Sequence, residues 1–303
     1  MKLFLILIVS TYLNAEVVTR MQVIMATIVT IKVNLKNEKY IENAFSIMKK
    51  IDASLSSYKN NSIISMLNKN KKVNLDNLSF EALTLSKRYY QESDEYFNIT
   101  IGTITKDLYR FGVNESIPSN KELADAKVSF EGLIIRQKEA ILSKGIKIDL
   151  GGIGKGFGID KVSEYLLSKN VHEAIISASG DIRCHNSCHI DVQDPFSESM
   201  MLSFQTKNQN LGITTSGNYR RYVKDKKHNH LINPKTKQAQ QNFASITLVS
   251  DMKSSALDAY ATAVSVMPKE KAYAFLDKLN VGYIVVEVDK KTLVKPAGFF
   301  ELR

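Results

Sequence analysis

The sequence predicts an α+β protein, on three observations. Amphipathic helical segments and hairpin-like pairs of strand segments occur in no regular β-α-β alternation. No stretch repeats another. At 303 residues, 44% of them hydrophobic, the chain has material for one large or two modest cores.

The elements follow in order. Residues 25–33 (MATIVTIKV) alternate well enough for an opening strand. Residues 41–56 carry apolar positions at 41, 44, 45, 47, 48, 51 and 55, the spacing of an amphipathic helix. A polar segment with Ser62 and Asn68 follows. Residues 79–89 read as a second helix with Ser79 as N-cap. A polar turn then enters the short β-branched run around residues 99–102, and residues 113–128 are largely polar and read as surface. Residues 133–142 and 146–148 read as a hairpin leading into a glycine-rich loop, residues 159–167 as a helix, and residues 174–178 as a buried strand. Strands and turns alternate up to an alanine-rich helix at 254–267, and residues 283–288 with 292–294 form a last hairpin.

The first residues indicate export. A lysine at position 2, an apolar run over 3–9 and a Leu-x-Ala end at Ala15 form a cleavable secretory signal, leaving residues 16–303 as the mature domain. The run is well short of the roughly 20 residues a bilayer span requires. The net charge of +10 suits acidic protein surfaces or anionic lipid. Scattered lysines and the export signal argue against nucleic acid.

The most informative segment is residues 148–160 (IDLGGIGKGFGID), with glycines at 152, 154, 156 and 158 and Lys155 between Asp149 and Asp160. Glycines there let backbone approach a bulky ligand, and the amides of such a turn cradle phosphate oxygens. Asp149, Lys155 and Asp160 add charges suited to a nucleotide and a metal. The segment is no Walker A loop, since Gly156 follows Lys155, and no dinucleotide fingerprint, since Phe157 falls where the third glycine belongs.

Four further constellations could carry chemistry. Asp258 and Thr262 lie four residues apart, on one helical face, as oxygen donors of the kind magnesium prefers. His230 precedes a proline turn and suits phosphate binding or proton movement. Ser216, Gly217 and Arg221 suit approach to a phosphate, with no serine-hydrolase elbow around them. Cys184 and Cys188, with His185 and His189 interleaved, leave open a local disulfide, separate thiols or a metal cluster.

Taken together, the segments at 25–27 (MAT), 55–58 (LSSY), 97–100 (FNIT), 149–156 (DLGGIGKG), 179–183 (SGDIR), 215–219 (TSGNY), 230–234 (HLINP) and 258–262 (DAYAT) resemble, in content and order, the ApbE family of flavin transferases. The resemblance implies a compact α+β fold with two lobes around an FAD cleft. It implies FAD as FMN donor, Mg2+ as cofactor, and a threonine hydroxyl of an exported or membrane flavoprotein as acceptor, with electron-transfer subunits the expected partners and AMP the leaving product. It places the protein in the periplasm, with peripheral association to the inner membrane. Met25, Tyr58, Phe97, Asn98, Ile99, Thr100, Asp149, Lys155 and Ile232 would bind the flavin nucleotide. Gly152 through its carbonyl, Asp258 and Thr262 would hold the metal. His230 and Asp258 would serve catalysis. An FAD pyrophosphatase giving FMN and AMP, and a non-catalytic flavin-binding protein, are the alternatives. The chain departs from the family pattern at Ala26, where glycine is usual, at Asn98, where aspartate is usual, and at Ser179, where glycine is common.

Overall fold

A computed structural model describes residues 16–207 and 210–303; the expected export signal, residues 1–15, lies outside the described residues. The chain opens with a hairpin of β1 (Val17–Ile24) and β2 (Thr27–Asn34). Its two-residue turn is Met25-Ala26, each at φ 56°, the conformation such a turn needs. The strand expected at 25–33 therefore begins at Thr27. The strand before it was hidden because its solvent face is apolar and its other face holds Arg20 and Gln22.

Helix α1 (Ile41–Leu55) matches expectation and buries Phe45, Met48 and Ile51. The polar segment after it folds as α2 (Ile63–Asn70), where Ser62 caps the first turn by accepting from Ser65 N–H at 3.0 Å. The side chain of Asn68 pairs with both backbone groups of Ile148, at 2.8 and 2.7 Å. Helix α3 (Asn77–Glu92) is capped by Asp76, which accepts from Ser79 N–H at 2.7 Å. Ser79 is thus the donor of that cap rather than the cap itself.

Beside α2 and α3 lies a small sheet of β3 (Lys72–Asn74), β4 (Leu133–Arg136) and β5 (Glu139–Leu142), in the order β3-β5-β4. The hairpin turns at Gln137-Lys138, both at positive φ, so it lies wholly within 133–142. Residues 146–148 contribute one bridge, Lys147 to Ile101. A widened helical turn, Thr103–Leu108, follows that bridge, with Tyr109 N–H donating to the Ile104 carbonyl at 2.9 Å. A short helix α4 (Asn120–Asp125) interrupts the polar stretch at 113–128.

Helix α5 (Gly154–Ser168) begins inside the glycine run, five residues earlier than expected. The central sheet has eight strands in the order β1-β2-β6-β7-β10-β11-β12-β13, all antiparallel. The remaining members are β6 (Ala174–Ala178), β7 (Asp181–Cys184), β10 (Leu211–Gly217), β11 (Phe243–Ser250), β12 (Gly282–Glu287) and β13 (Thr292–Lys295). Helices α1, α5 and α6 (Ser254–Val266) cover one face, and α7 (Lys269–Leu279) packs on α6. A three-stranded sheet of β8 (His189–Gln193), β9 (Met200–Thr206) and β14 (Phe300–Leu302) shares a core with the central sheet through Ile190, Val192, Phe204, Ile213 and Phe300.

The cysteines form a disulfide, Cys184–Cys188, with Cα atoms 6.3 Å apart. The interleaved histidines face elsewhere. Nε2 of His185 meets the Ser163 hydroxyl at 2.8 Å and its Nδ1 the Val171 carbonyl at 2.9 Å, while His189 sits 3.1 Å from Asp191. Among the described residues no group of three or more His, Cys, Asp or Glu side chains is arranged for a metal.

Candidate active site

Two glycines set the site's geometry. Gly156 on α5 packs so closely on the Ser254 carbonyl that a Cβ would collide with it, which lets α5 and α6 cross in contact. A Cβ at Gly152 would meet the Thr262 hydroxyl oxygen at 2.8 Å. The glycine run therefore brings its backbone against the α6 face that carries Asp258 and Thr262. Asp160 belongs to this packing. Its buried carboxylate accepts from Ser254 N–H at 2.7 Å and Ser255 N–H at 3.0 Å, capping the start of α6. The suggestion that Asp160 faces a nucleotide or metal is corrected accordingly.

Lys155 lies between two buried carboxylates. Its Nζ is 2.9 Å from Asp181 and 3.3 Å from Asp258, and Asp258 also accepts from Gly156 N–H at 3.2 Å. Lys155 engages one oxygen of buried Asp181, and the other oxygen, Oδ1, is buried without a partner among the described residues. Two carboxylates thus share one ammonium in a place where unbalanced charge is costly. Burial and the neighbouring Asp181 push Asp258 up to about 7. Burial opposes the charge of Lys155, yet Asp181 and Asp258 hold its pKa above the ordinary lysine value.

A second cluster stands opposite. Asp149 accepts from Gly151 N–H at 3.0 Å and from the Thr105 hydroxyl at 2.8 Å, and pairs with Lys106 at 3.3 Å. Burial pushes Asp149 up, but Lys106, Thr105, Arg221 and the Gly151 N–H together hold it below the usual carboxylate value. Lys106 also lies 3.5 Å from the centre of the Tyr58 ring. The Tyr58 hydroxyl donates to the Phe111 carbonyl at 3.1 Å and accepts from Arg221. His230 is half-buried and sets its ring edge-on to Phe111. Its Nδ1 meets the Arg221 carbonyl at 3.1 Å, which fixes the proton there and leaves Nε2 as an acceptor. Burial first, and then the charge of Arg221, lowers His230 to about 4.

Both clusters open on one cleft of about 1190 Å³. Met25, Tyr58, Phe97, Asn98, Asp149, Lys155, His230, Ile232, Gly152, Asp258 and Thr262 all line it, as do Ser216, Gly217 and Arg221. Two expected binding residues, Ile99 and Thr100, lie outside the lining and are buried behind it. The Ile99 carbonyl accepts from Asp149 N–H at 2.8 Å, and Asn98 accepts from Thr100 N–H at 2.9 Å and its hydroxyl at 2.7 Å. That local turn needs an acceptor oxygen, which asparagine supplies as well as aspartate. Asp181 and Lys106 escaped sequence reasoning. The Ser-Gly-Asp segment contained a signal for Asp181, as a carboxylate after a buried strand; Lys106 had none.

The fold and cleft define an enzyme whose floor joins buried carboxylates, a lysine and a glycine-rich backbone, with aromatic and apolar walls above. Comparison with known proteins gives the family. The sequence pattern of the ApbE family matches residues 25–285, and the chain belongs to that family. It is similar to the FAD:protein FMN transferase of Haemophilus influenzae, 28% identical over 294 residues that cover 88% of this chain and 83% of the relative. The FAD:protein FMN transferase of Vibrio cholerae is 24% identical, with 79% and 77% covered. In fold it is similar to the crystal structure of the ApbE protein from Thermotoga maritima, with TM-score 0.85, 21% identity, and 92% and 97% of the two chains covered. The flavin transferase ApbE from Vibrio cholerae has TM-score 0.79 and 20% identity, with 95% and 97% covered. Flavin transfer is the activity of the family, and this chain is an enzyme of that class. Among the described residues no helix is long and apolar enough to cross a membrane.

Proposed function

We propose that residues 16–303 form one catalytic unit that moves FMN from FAD to a threonine hydroxyl of an exported or membrane-bound protein, in the periplasm and with magnesium. The supporting observation is the floor of the cleft, where buried Asp181 and Asp258 share the single cation of Lys155. The surplus negative charge and the partnerless Oδ1 of Asp181 call for a second cation. The Asp258 carboxylate, the Thr262 hydroxyl and the Gly152 carbonyl are hard oxygen donors that suit magnesium. When bound, the ion would neutralise charge developing on the phosphoryl oxygens.

The chain's own residues account for the rest. Lys155 and Arg221 supply positive charge for the diphosphate. Tyr58 offers the flavin ring a flat surface, held by Lys106 behind it and by Arg221 and Phe111 at its hydroxyl. Met25, Phe97 and Ile232 supply apolar wall. His230, neutral at pH 7, presents Nε2 as the acceptor that orients the incoming hydroxyl and takes its proton. The acceptor oxygen forms a new ester bond to the FMN-side phosphorus. The bond from that phosphorus to the bridging oxygen breaks, and AMP leaves with the bridging oxygen.

The test is incubation of residues 16–303 with FAD, magnesium and exported proteins that carry no flavin. Intact mass should show FMN on a threonine, matched by AMP. Equal release of free FMN and AMP with no labelled protein would establish hydrolysis and sink the transfer reading.

A further inference from the structure

Strand register carries the floor of the cleft beyond its mouth. Directly paired residues of antiparallel strands point to the same face. Ile213 pairs with Ile182, Ile182 with Ser177, Ser177 with Thr30, and Thr30 with Met21, so these five side chains form one row across β10, β7, β6, β2 and β1. Ile213 and Ile182 line the cleft. In the neighbouring row, Val23 pairs with Ile28, whose carbonyl accepts from N–H of the cleft-lining Ser179. The sheet of β8, β9 and β14 roofs this face over β7 and β10, with Ile190 and Val192 of β8 forming a wall of the cleft. Beyond that wall no other described residue covers the face at β1 and β2. There Met21 is 66% exposed, Val23 78% and Ile28 57%.

The strip is unusual in two respects. Its exposed end is apolar at Met21, Val23 and Ile28, with Thr30 beside them, and among the described residues β1 is an eight-residue edge strand whose one charged side chain, Arg20, lies on the other face and pairs with Glu38. It also ends at the reaction site, because the turn closing the hairpin, Met25-Ala26, lines the cleft.

We propose that this shelf docks the acceptor polypeptide: an extended, apolar segment of the acceptor lies along β1 and across Met21, Val23 and Ile28, delivering its hydroxyl residue past Met25 into the cleft. The proposal rests on the transfer reading above. An extended chain fits because the edge of β1, unpaired among the described residues, offers backbone donors and acceptors, while the shelf offers apolar contact for alternate side chains. Continuity of the shelf with the cleft floor favours an acceptor over a lipid surface, which would need no path to Lys155 and Asp258.

The test uses the double variant Met21→Lys with Val23→Lys, at two exposed positions where charge is tolerated by the fold. FMN incorporation is followed as acid-precipitable flavin fluorescence in an exported-protein extract from cells lacking this enzyme, over a dilution series. AMP release from FAD in the absence of extract is measured in parallel, with magnesium present. The extract concentration for half-maximal labelling should rise about tenfold or more, while AMP release without acceptor and the melting temperature stay at wild-type values. Ile28→Thr, milder and on the adjacent strand, should show a smaller shift in the same direction and serves if the double variant is unstable. Unchanged half-maximal labelling would overturn the proposal. So would a variant that labels normally but loses binding to phosphatidylglycerol vesicles, which would make the shelf a lipid contact. If the wild type releases AMP but labels no protein, the transfer reading itself fails, and the shelf with it.

Discussion

Replacing Asp160 by alanine separates two accounts of the glycine-rich segment. On the structure, Asp160 is a buried cap: its carboxylate accepts from the Ser254 and Ser255 amides at 2.7 and 3.0 Å, at the start of the helix that carries Asp258 and Thr262. Hydrogen bonds to a charged group contribute about 1.5–3 kcal/mol each. Alanine leaves both amides unpaired within the contact between α5 and α6. The expected cost is about 3–5 kcal/mol, against total stabilities of roughly 5–15 kcal/mol. For a chain of this size that lowers the melting temperature by about 10 °C. Urea unfolding followed by circular dichroism measures the loss, and magnesium-dependent AMP release is assayed well below the new melting point. There the folded fraction should retain most of its turnover and its magnesium half-saturation. Normal stability combined with a shifted magnesium dependence would show that Asp160 is a ligand and that the capping argument is wrong.

Ala26→Gly should stabilise the protein by about 1 kcal/mol, because Ala26 sits at φ 56° where an L side chain is strained. Ser179→Gly, at φ 58°, should add a similar amount, and a melting curve for each and for the pair checks both. Asp258→Asn should cut magnesium-dependent AMP release by roughly 100-fold or more while leaving the fold intact; turnover unchanged across a magnesium titration would reject its assignment. Changing Cys184 and Cys188 to serine should cost about 2 kcal/mol and leave turnover intact, and turnover lost with normal folding and FAD binding would give the pair a direct role. His230 has a lowered pKa in the fold, so the unfolded chain takes up its proton first. Its contribution to stability is therefore present above about pH 6.5 and is lost as pH falls towards about 4. His230→Gln should flatten that part of the stability curve, which urea midpoints across this range will show.

Elements with strong periodicity were legible in the sequence. Helix α1 places Ile41, Ala44, Phe45, Met48, Ile51 and Leu55 inward at helical spacing, and it runs where its pattern says. Helix α2 buries Ile64 and Leu67, but at eight residues its apolar pattern is too short to read among polar neighbours. Ser62 caps it, and Asn68 joins it to Ile148, a contact 80 residues away in sequence. Helix α7 was missed because it buries little more than Ala272 and Leu276. The β-branched run before Leu108 resembles a strand, yet it makes one bridge and then a widened helical turn. What decides its conformation is Asp149, which holds Thr105 and Lys106 across 44 and 43 positions of sequence.

The site was legible as a set of fragments, and its logic was not. Asp258 and Thr262 announce themselves by helical spacing, whereas the charge balance around them depends on Asp181, brought in from strand β7. The alternating glycines suggested a turn whose amides hold phosphate. In the fold several of these residues are helical, and the Gly156 N–H is committed to Asp258. Their bareness serves contact between backbones: Gly152 against Thr262, and Gly156 against Ser254. Close crossing of α5 and α6 is what puts Lys155 within reach of Asp258, while Asp181 reaches it from β7. A methyl group at Gly156 would separate the two helices and spoil that arrangement without removing any charged residue. The glycine pattern therefore specifies the electrostatics of the cleft through distance, and the chemistry of its neighbours follows from that spacing.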